Sequence, residues 1–353
     1  MISTKIIKID PHNPAEEILK EAAQIIENGG LVIIPTETVY GIAANLLDKE
    51  AIDRLYKIKE RPQDKPFSLH IDRKDRIEEF ARNIPVLAYK LTERFWPGPL
   101  TVILKAKDQG TVGIRMPDNE IALEIIELAK VPVVCPSANL SGCPPPRNFS
   151  QAIKDLNGLV NLAIDAGDTK LGLESTVVDL TVEPIKILRE GVIKKTEIDA
   201  VANRKTILFV CTGNSCRSVM AKALLENKLK EKNRNDIEVL SRGLMMLGGL
   251  EASEATKEIL KAEGINISAH RSASITKGVI KQSDIILVME KLHEERILQL
   301  APEVKNRVFL LKEFAKIDDA DLNIPDPIGK PLEFYKQVFA VIREAIERIS
   351  NLI

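Results

Sequence analysis

The sequence predicts two α/β domains in tandem. A mixed, twisted sheet with helices is expected over residues 1–204, and a doubly wound parallel sheet over residues 205–353. Three observations carry this reading. The length, 353 residues, suits two domains of ~100–200 residues each. The formal charge changes sign, from 27 basic and 30 acidic side chains in residues 1–204 to 23 and 21 in residues 205–353. Short apolar runs alternate with amphipathic stretches throughout, most cleanly in the second half.

The elements follow in order. Over residues 14–27 the apolar positions 18, 19, 22, 23, 25 and 26 describe one buried helix face, and Asn28-Gly29-Gly30 stops it. Residues 31–34 follow as a strand. Further strands are expected at 67–71, 100–104, 112–115, 131–134, 176–180 and 185–188, with helices at 50–60, 85–95 and 119–129. The polar stretch from Lys194 to Lys205 separates two strand-like runs, and it is helix-capable rather than a Gly/Ser tether. The second half then reads strand 206–210, helix 218–232, strand 237–240, helix 252–263, strand 284–289, helix 290–299, strand 307–311 and helix 333–349. That alternation is the signature of βαβ units with helices on both faces.

Composition excludes several classes. A chain 44% hydrophobic and 29% charged is globular rather than disordered. A net charge of −1 leaves no polycationic tail, so charge alone makes no case for nucleic acid. Apolar runs such as 31–34 and 207–210 are far too short to span a bilayer. The start, Met1-Ile2-Ser3-Thr4-Lys5, lacks a signal-peptide core. Cys135, Cys143, Cys211 and Cys216 match no zinc spacing and are too few for a disulfide framework. The expectation is a soluble, cytoplasmic protein that holds no metal on its own side chains.

The strongest motif is Cys211-Thr212-Gly213-Asn214-Ser215-Cys216-Arg217-Ser218, between a strand and a helix. Backbone N–H groups in such a loop turn inward and hold phosphate oxygens. Gly213 and Asn214 tolerate the positive φ angles this requires. Arg217 is placed to grip two phosphate oxygens, and the same positive field favours the thiolate of Cys211, the attacking form. Ser218 can donate a hydrogen bond to that sulfur. Downstream lie Ser241-Arg242-Gly243, Ala269-His270-Arg271-Ser272, the strand 283–289 and Asn323-Ile324-Pro325-Asp326-Pro327.

With these segments, residues 205–353 resemble the low-molecular-weight protein tyrosine phosphatase family. The resemblance implies Cys211 as nucleophile, Arg217 as phosphate clamp and Asp326 as general acid, with a phosphoprotein as substrate. His270 is expected to buttress the loop. Ile328 stands where phosphotyrosine members carry an aromatic residue. The stretch Leu244, Met245, Met246 and Leu247 offers no ring to stack on a phenyl group. Ser215 is similar to the hydroxyl residue of the phosphoarginine branch, so phosphoarginine and phosphotyrosine both stay open. Arsenate reductases share the loop, but their chemistry needs resolving cysteines further on, and none follows Cys216. Cys216 could still pair with Cys211 on oxidation.

The first half carries polar clusters at the ends of apolar runs, where α/β proteins place ligands. They are Pro35-Thr36-Glu37-Thr38-Val39-Tyr40-Gly41, Lys57-Ile58-Lys59-Glu60-Arg61-Pro62, Gly113-Ile114-Arg115-Met116-Pro117, Pro136-Ser137-Ala138-Asn139-Leu140-Ser141-Gly142, Glu174-Ser175-Thr176-Val177-Val178-Asp179 and Arg189-Glu190-Gly191. Singly, each also reads as a cap or a turn. Residues 54–76 hold eight basic side chains, enough for a triphosphate or weak RNA binding.

As an ordered set these clusters, within residues 10–195, resemble the YrdC family of threonylcarbamoyl-adenylate synthases. That family condenses L-threonine, bicarbonate and ATP with release of pyrophosphate. Its product passes to partner proteins that modify the adenosine beside the tRNA anticodon. The resemblance implies that Lys59, Arg61, Asn139 and Arg189 hold ATP. It implies that Arg115 grips the threonine carboxylate bidentately, and that Thr36, His70, Ser137 and Ser175 complete the amino-acid pocket, lined by Tyr40. Mg²⁺ would ride on the nucleotide phosphates. His70 reads equally as a base or as a hydrogen-bonded pocket residue. His12 and His293 are expected at the surface, and Cys135 as a small core residue. A competing class is an RNA-binding module joined to a vestigial phosphate sensor. The intact Cys211, Arg217, Asp326, Lys59 and Arg115 weigh against it.

Overall fold

The computed structural model describes residues 3–245 and 248–353. The chain divides into two units, residues 1–202 and 203–353. Met246 and Leu247, of the stretch that offers no ring to stack on a phenyl group, lie outside the described residues.

Ten strands form the sheet of the first unit: β1 (Lys5–Lys8), β2 (Val32–Ile34), β3 (Gly41–Asn45), β4 (Leu69–His70), β5 (Leu100–Lys105), β6 (Thr111–Arg115), β7 (Val133–Val134), β8 (Leu162–Asp165), β9 (Thr176–Asp179) and β10 (Lys186–Arg189). Their order is β1-β8-β2-β3-β7-β4-β6-β5-β9-β10, with parallel and antiparallel pairs mixed. Neighbouring residues of a strand face opposite sides, and the core follows that rule. Val32 and Ile34 join the helices Glu16–Glu27 and Glu120–Ala129 on one face. Leu31 and Ile33 join the helix Lys49–Lys59 and Ala152 on the other.

The sequence pattern does not announce β1, β3 and β8. β3 reads Gly-Ile-Ala-Ala-Asn, in which every residue but Ile42 has low strand propensity, and all five are buried. Burial between two layers, not propensity, makes it a strand. Residues 67–71 narrow to the two paired residues of β4, because the ladder to β6 and β7 extends no further. The polar connector is a helix, Lys195–Ala202, and Ile198 buries it in the cluster around Ala88, Leu91 and Leu100 of the first unit.

The second unit has a four-stranded sheet: β11 (Lys205–Cys211), β12 (Ile237–Gly243), β13 (Ile285–Val288) and β14 (Val308–Leu310). The order is β12-β11-β13-β14 and every pair is parallel. Alternation along β11 sends Ile207, Phe209 and Cys211 to one core cluster and Leu208 and Val210 to the other. The chain runs from β11 to β12 on one side and returns to β13 on the other. The carboxyl end of β11, which carries Cys211, is thus a topological switch point, where doubly wound sheets place ligands.

Candidate active sites

In the first unit, strand ends and two loops enclose a cleft of about 710 Å³. Thr36, Tyr40, Lys59, Arg61, His70, Arg115, Ser137, Asn139, Ser175 and Arg189 all line it. Helix Lys49–Lys59 starts on Asp48, whose carboxylate accepts from Ala51 N, and it ends where Glu60 turns left-handed. This delivers Lys59 to the loop after β7. Lys59 Nζ donates to Ser137 O and, at 2.7 Å, to Asn139 O. Burial, with Arg61 nearby, pushes its ammonium down to about 8. Arg61 donates to Lys65 O and Pro66 O and stacks over Phe67. Arg189 ties to Glu174 and donates to Ser175 O and Ser175 Oγ, and Ser175 Oγ lies 2.9 Å from Thr101 Oγ1.

At the deep end, Arg115 Nη2 donates to Glu37 Oε1 at 2.7 Å and to Thr38 Oγ1 at 2.9 Å. Both protons of that nitrogen are committed. A two-pronged grip through Nη1 and Nη2 therefore needs one of these partners to let go. Burial, followed by the charge of Arg115, holds the His70 imidazole down to about 3, so it is neutral across the physiological range. Tyr40 is fixed by donating to Gly167 O and accepting from Ala166 N. Burial pushes the Cys135 thiol up to about 12, which leaves it an inert wall.

The basic run 54–76 does not form one open patch. Lys59 is buried, while Arg73, Lys74 and Arg76 are held by Asp72, Glu93 and Glu79. Sequence reasoning assigned no role to Thr101, Thr111, Glu174 or Asp179, which also line the cleft. Thr101 faces the site because it pairs with Arg115 across β5 and β6, a register the sequence does not show.

In the second unit, Cys211 Sγ lies 3.0 Å from Ser218 Oγ, and Asn214 Nδ2 donates to the same hydroxyl. Of the two residues that tolerate a positive φ, Asn214 takes one, 53°, and Gly213 does not. The amide carbonyl of Asn214 accepts from Ala273 N, and its backbone O lies 2.9 Å from His270 Nε2. Gly243 ends β12 against this loop. A Cβ there would stand 3.0 Å from Thr212 O and from Gly213 C, so the close approach of two backbones favours glycine.

Arg217, the first residue of the helix Arg217–Glu231, is 1% exposed. Its Nη1 meets Ile324 O and Glu290 Oε1, and its Nη2 meets Asp326 Oδ2 and Thr212 Oγ1. His293 is not at the surface. It is 1% exposed, with Nε2 3.0 Å from Thr212 Oγ1, and burial followed by Arg217 holds it down to about 4. Only the βαβ path brings it here, 81 residues beyond its partner. His12 is exposed. Cys216 Sγ lies 3.3 Å from Ser253 Oγ and 3.5 Å from Ser215 Oγ.

Among the described residues, the buried side-chain atoms lacking a hydrogen-bond partner are Glu37 Oε2, Arg115 Nε, Asn139 Oδ1, Arg217 Nε and His293 Nδ1. All belong to residues that line or back these two sites. A buried polar atom without a partner costs about 1–3 kcal/mol, which is tolerated where a polar ligand supplies the partner.

Residues 24–191 match the Sua5–YciO–YrdC family, described as Telomere recombination. Residues 206–352 match the low molecular weight phosphotyrosine protein phosphatases. Threonylcarbamoyl-AMP synthase of Pyrococcus abyssi is 41% identical over 212 residues, 58% of this chain and 62% of the relative. Protein-arginine-phosphatase of Geobacillus stearothermophilus is 42% identical over 145 residues, 41% of this chain and 93% of the relative. The crystal structure of P. abyssi Sua5 complexed with L-threonine superposes with a TM-score of 0.55 at 25% identity, covering 98% of each chain. The chain spans 62% and 56% of the first two curated synthases it matches.

Proposed function

Because the chain belongs over residues 24–191 to the Sua5–YciO–YrdC family and over residues 206–352 to the low molecular weight phosphatase family, we propose that it joins two enzymes. The first condenses L-threonine, bicarbonate and ATP to L-threonylcarbamoyladenylate and pyrophosphate, for transfer by partner proteins to tRNA. The observation that carries this reading is convergence. Side chains from motifs scattered between residues 36 and 189 meet in one cleft, cationic towards Lys59, Arg61 and Arg189 and hydroxyl-rich towards Thr101 and Ser175.

The chemistry follows from these groups. An ammonium has three protons, and Lys59 gives two to carbonyls, leaving one for a phosphate oxygen. The threonine amine attacks bicarbonate carbon and water leaves. The carbamate oxygen then attacks the α-phosphorus and pyrophosphate departs. Alignment of the three reactants supplies on the order of 7–11 kcal/mol of the barrier. Cationic and hydroxyl donors suit triphosphate oxygens better than a bare dication, so Mg²⁺ would enter on the nucleotide, whose charge it would offset. Pyrophosphate release is expected to require both bicarbonate and threonine, and equal release without threonine rejects the reading.

The second enzyme is a cysteine-dependent protein phosphatase. Cys211 attacks phosphorus, Asp326 protonates the leaving group, and the same carboxylate then takes a proton from the water that cleaves the phosphocysteine. Asp326 now bonds Arg217, so an arriving phosphate competes with it for the guanidinium. We favour phosphoarginine over phosphotyrosine. Ile328, 57% exposed beside Asp326, supplies an aliphatic rather than aromatic wall, and a relative is named protein-arginine-phosphatase. Rates on matched phosphoarginine and phosphotyrosine peptides test this, and a clear preference for phosphotyrosine overturns it.

A further inference from the structure

We infer that Thr38 and Glu37, which stand behind the cleft of the first unit, are positioning residues that fix Arg115 for its amino-acid ligand. The inference rests on the synthase reading above and goes beyond it by explaining the centre of the Thr36-Glu37-Thr38 motif. Neither residue lines the cleft, while Thr36 and Arg115 do. All four are at least 94% buried, with Thr38 at 0% and Glu37 at 2% exposure.

The direction of each proton can be worked out. Thr36 has one hydroxyl proton and gives it to Val39 O at 2.7 Å. The contact of 2.8 Å between Thr36 Oγ1 and Thr38 Oγ1 must therefore take its proton from Thr38. Thr38 Oγ1 in turn accepts from Arg115 Nη2. The chain runs one way, from guanidinium to Thr38, to Thr36, to the Val39 carbonyl. Glu37 Oε1 takes the other proton of the same nitrogen. Two anchors on Nη2 stop rotation of the guanidinium plane and leave Nη1, which carries no partner among the described residues, to meet a carboxylate. Thr36 also accepts from Thr38 N and Val39 N, so its hydroxyl is fully used in this turn and has no proton left for a ligand. On this account Thr36 shapes the pocket, and the affinity depends on Thr38.

The test is calorimetric titration of the full chain with L-threonine and, separately, with ATP. Thr38→Val keeps the shape but removes the acceptor and should weaken threonine binding by roughly 10–100-fold, the worth of a hydrogen bond to a charged group. Thr38→Ser should restore it, and ATP affinity should change less than about twofold in both variants. Undiminished threonine binding in Thr38→Val overturns the inference. Equal loss of threonine and ATP binding also overturns it, because that is the mark of a merely structural role. If the unaltered chain binds no threonine, the synthase reading fails and takes this inference with it. Binding by the unaltered chain that Thr38→Val leaves intact removes the inference alone.

Discussion

In the second unit most of the candidate site sits on consecutive residues, from Cys211 to Ser218, at the junction of one strand and one helix, and Asp326 joins it from far along the chain. In the first unit it is gathered from strand ends and loops between residues 36 and 189. On the proposed mechanism the contiguous site depends on one atom, the sulfur of Cys211. The reaction proposed for the distributed site uses no protein nucleophile. On that proposal the site works by holding three reactants, with each side chain carrying a share of the alignment. Single substitutions should therefore be catastrophic in one region and graded in the other.

The largest effect breaks the contiguous site. Cys211→Ser should lower hydrolysis of an aryl phosphate by more than ~10⁴-fold, as loss of a nucleophile does, while phosphate still binds to the loop and Arg217. Full activity in this variant would remove the cysteine mechanism. Asp326→Ala comes next, with a loss of ~10²–10⁴-fold in turnover that shrinks as the leaving group becomes more acidic. A loss independent of the leaving group would show that Asp326 is not the proton donor.

The graded site should respond more mildly. Lys59→Ala should raise the KM for ATP by roughly 10–100-fold, from the loss of a charge-assisted bond, with phosphatase rates unaltered. Titration sharpens this point. The Lys59 ammonium is held down to about 8, so kcat/KM for ATP should fall as pH rises through that value, where the proton is lost. A profile flat to pH 10 would contradict the assigned contact. The smallest effect concerns His70. Burial keeps it neutral down to about pH 3, so His70→Gln should leave the shape of the synthase pH profile between pH 5 and 8 unchanged. An acid limb that disappears in the variant would make His70 the base after all.

The same contrast governs what could be read beforehand. In the second half, strand, loop and helix are consecutive, so from Cys211 to Ser218 the order of residues is also the order of the site. The thiol, its arginine and the serine beside the sulfur are legible from spacing alone. The partners of Arg217 are less so. Glu290 and His293 follow β13 in sequence, and only the parallel crossover returns Glu290 to Arg217 and His293 to Thr212. In the first half, the motifs pointed to the cleft residues through a resemblance, not through any single spacing. Their meeting depends on the register of a mixed sheet, which places Thr101 opposite Arg115 and Val177.

Local chemistry by itself determined the helix starts at Asp48 and Asn119, where short polar side chains accept from backbone N–H groups three positions on. It determined the alternation of β11 and the thiol loop that follows it. Tertiary structure alone decided that Gly41–Asn45 is a strand, that Ile198 binds the connector to the first unit, and that Thr38 backs Arg115. The physical reason is range. Caps, turns and periodicity act over a few residues of chain, whereas burial between layers and hydrogen bonds across a sheet join residues that only the folded chain brings together.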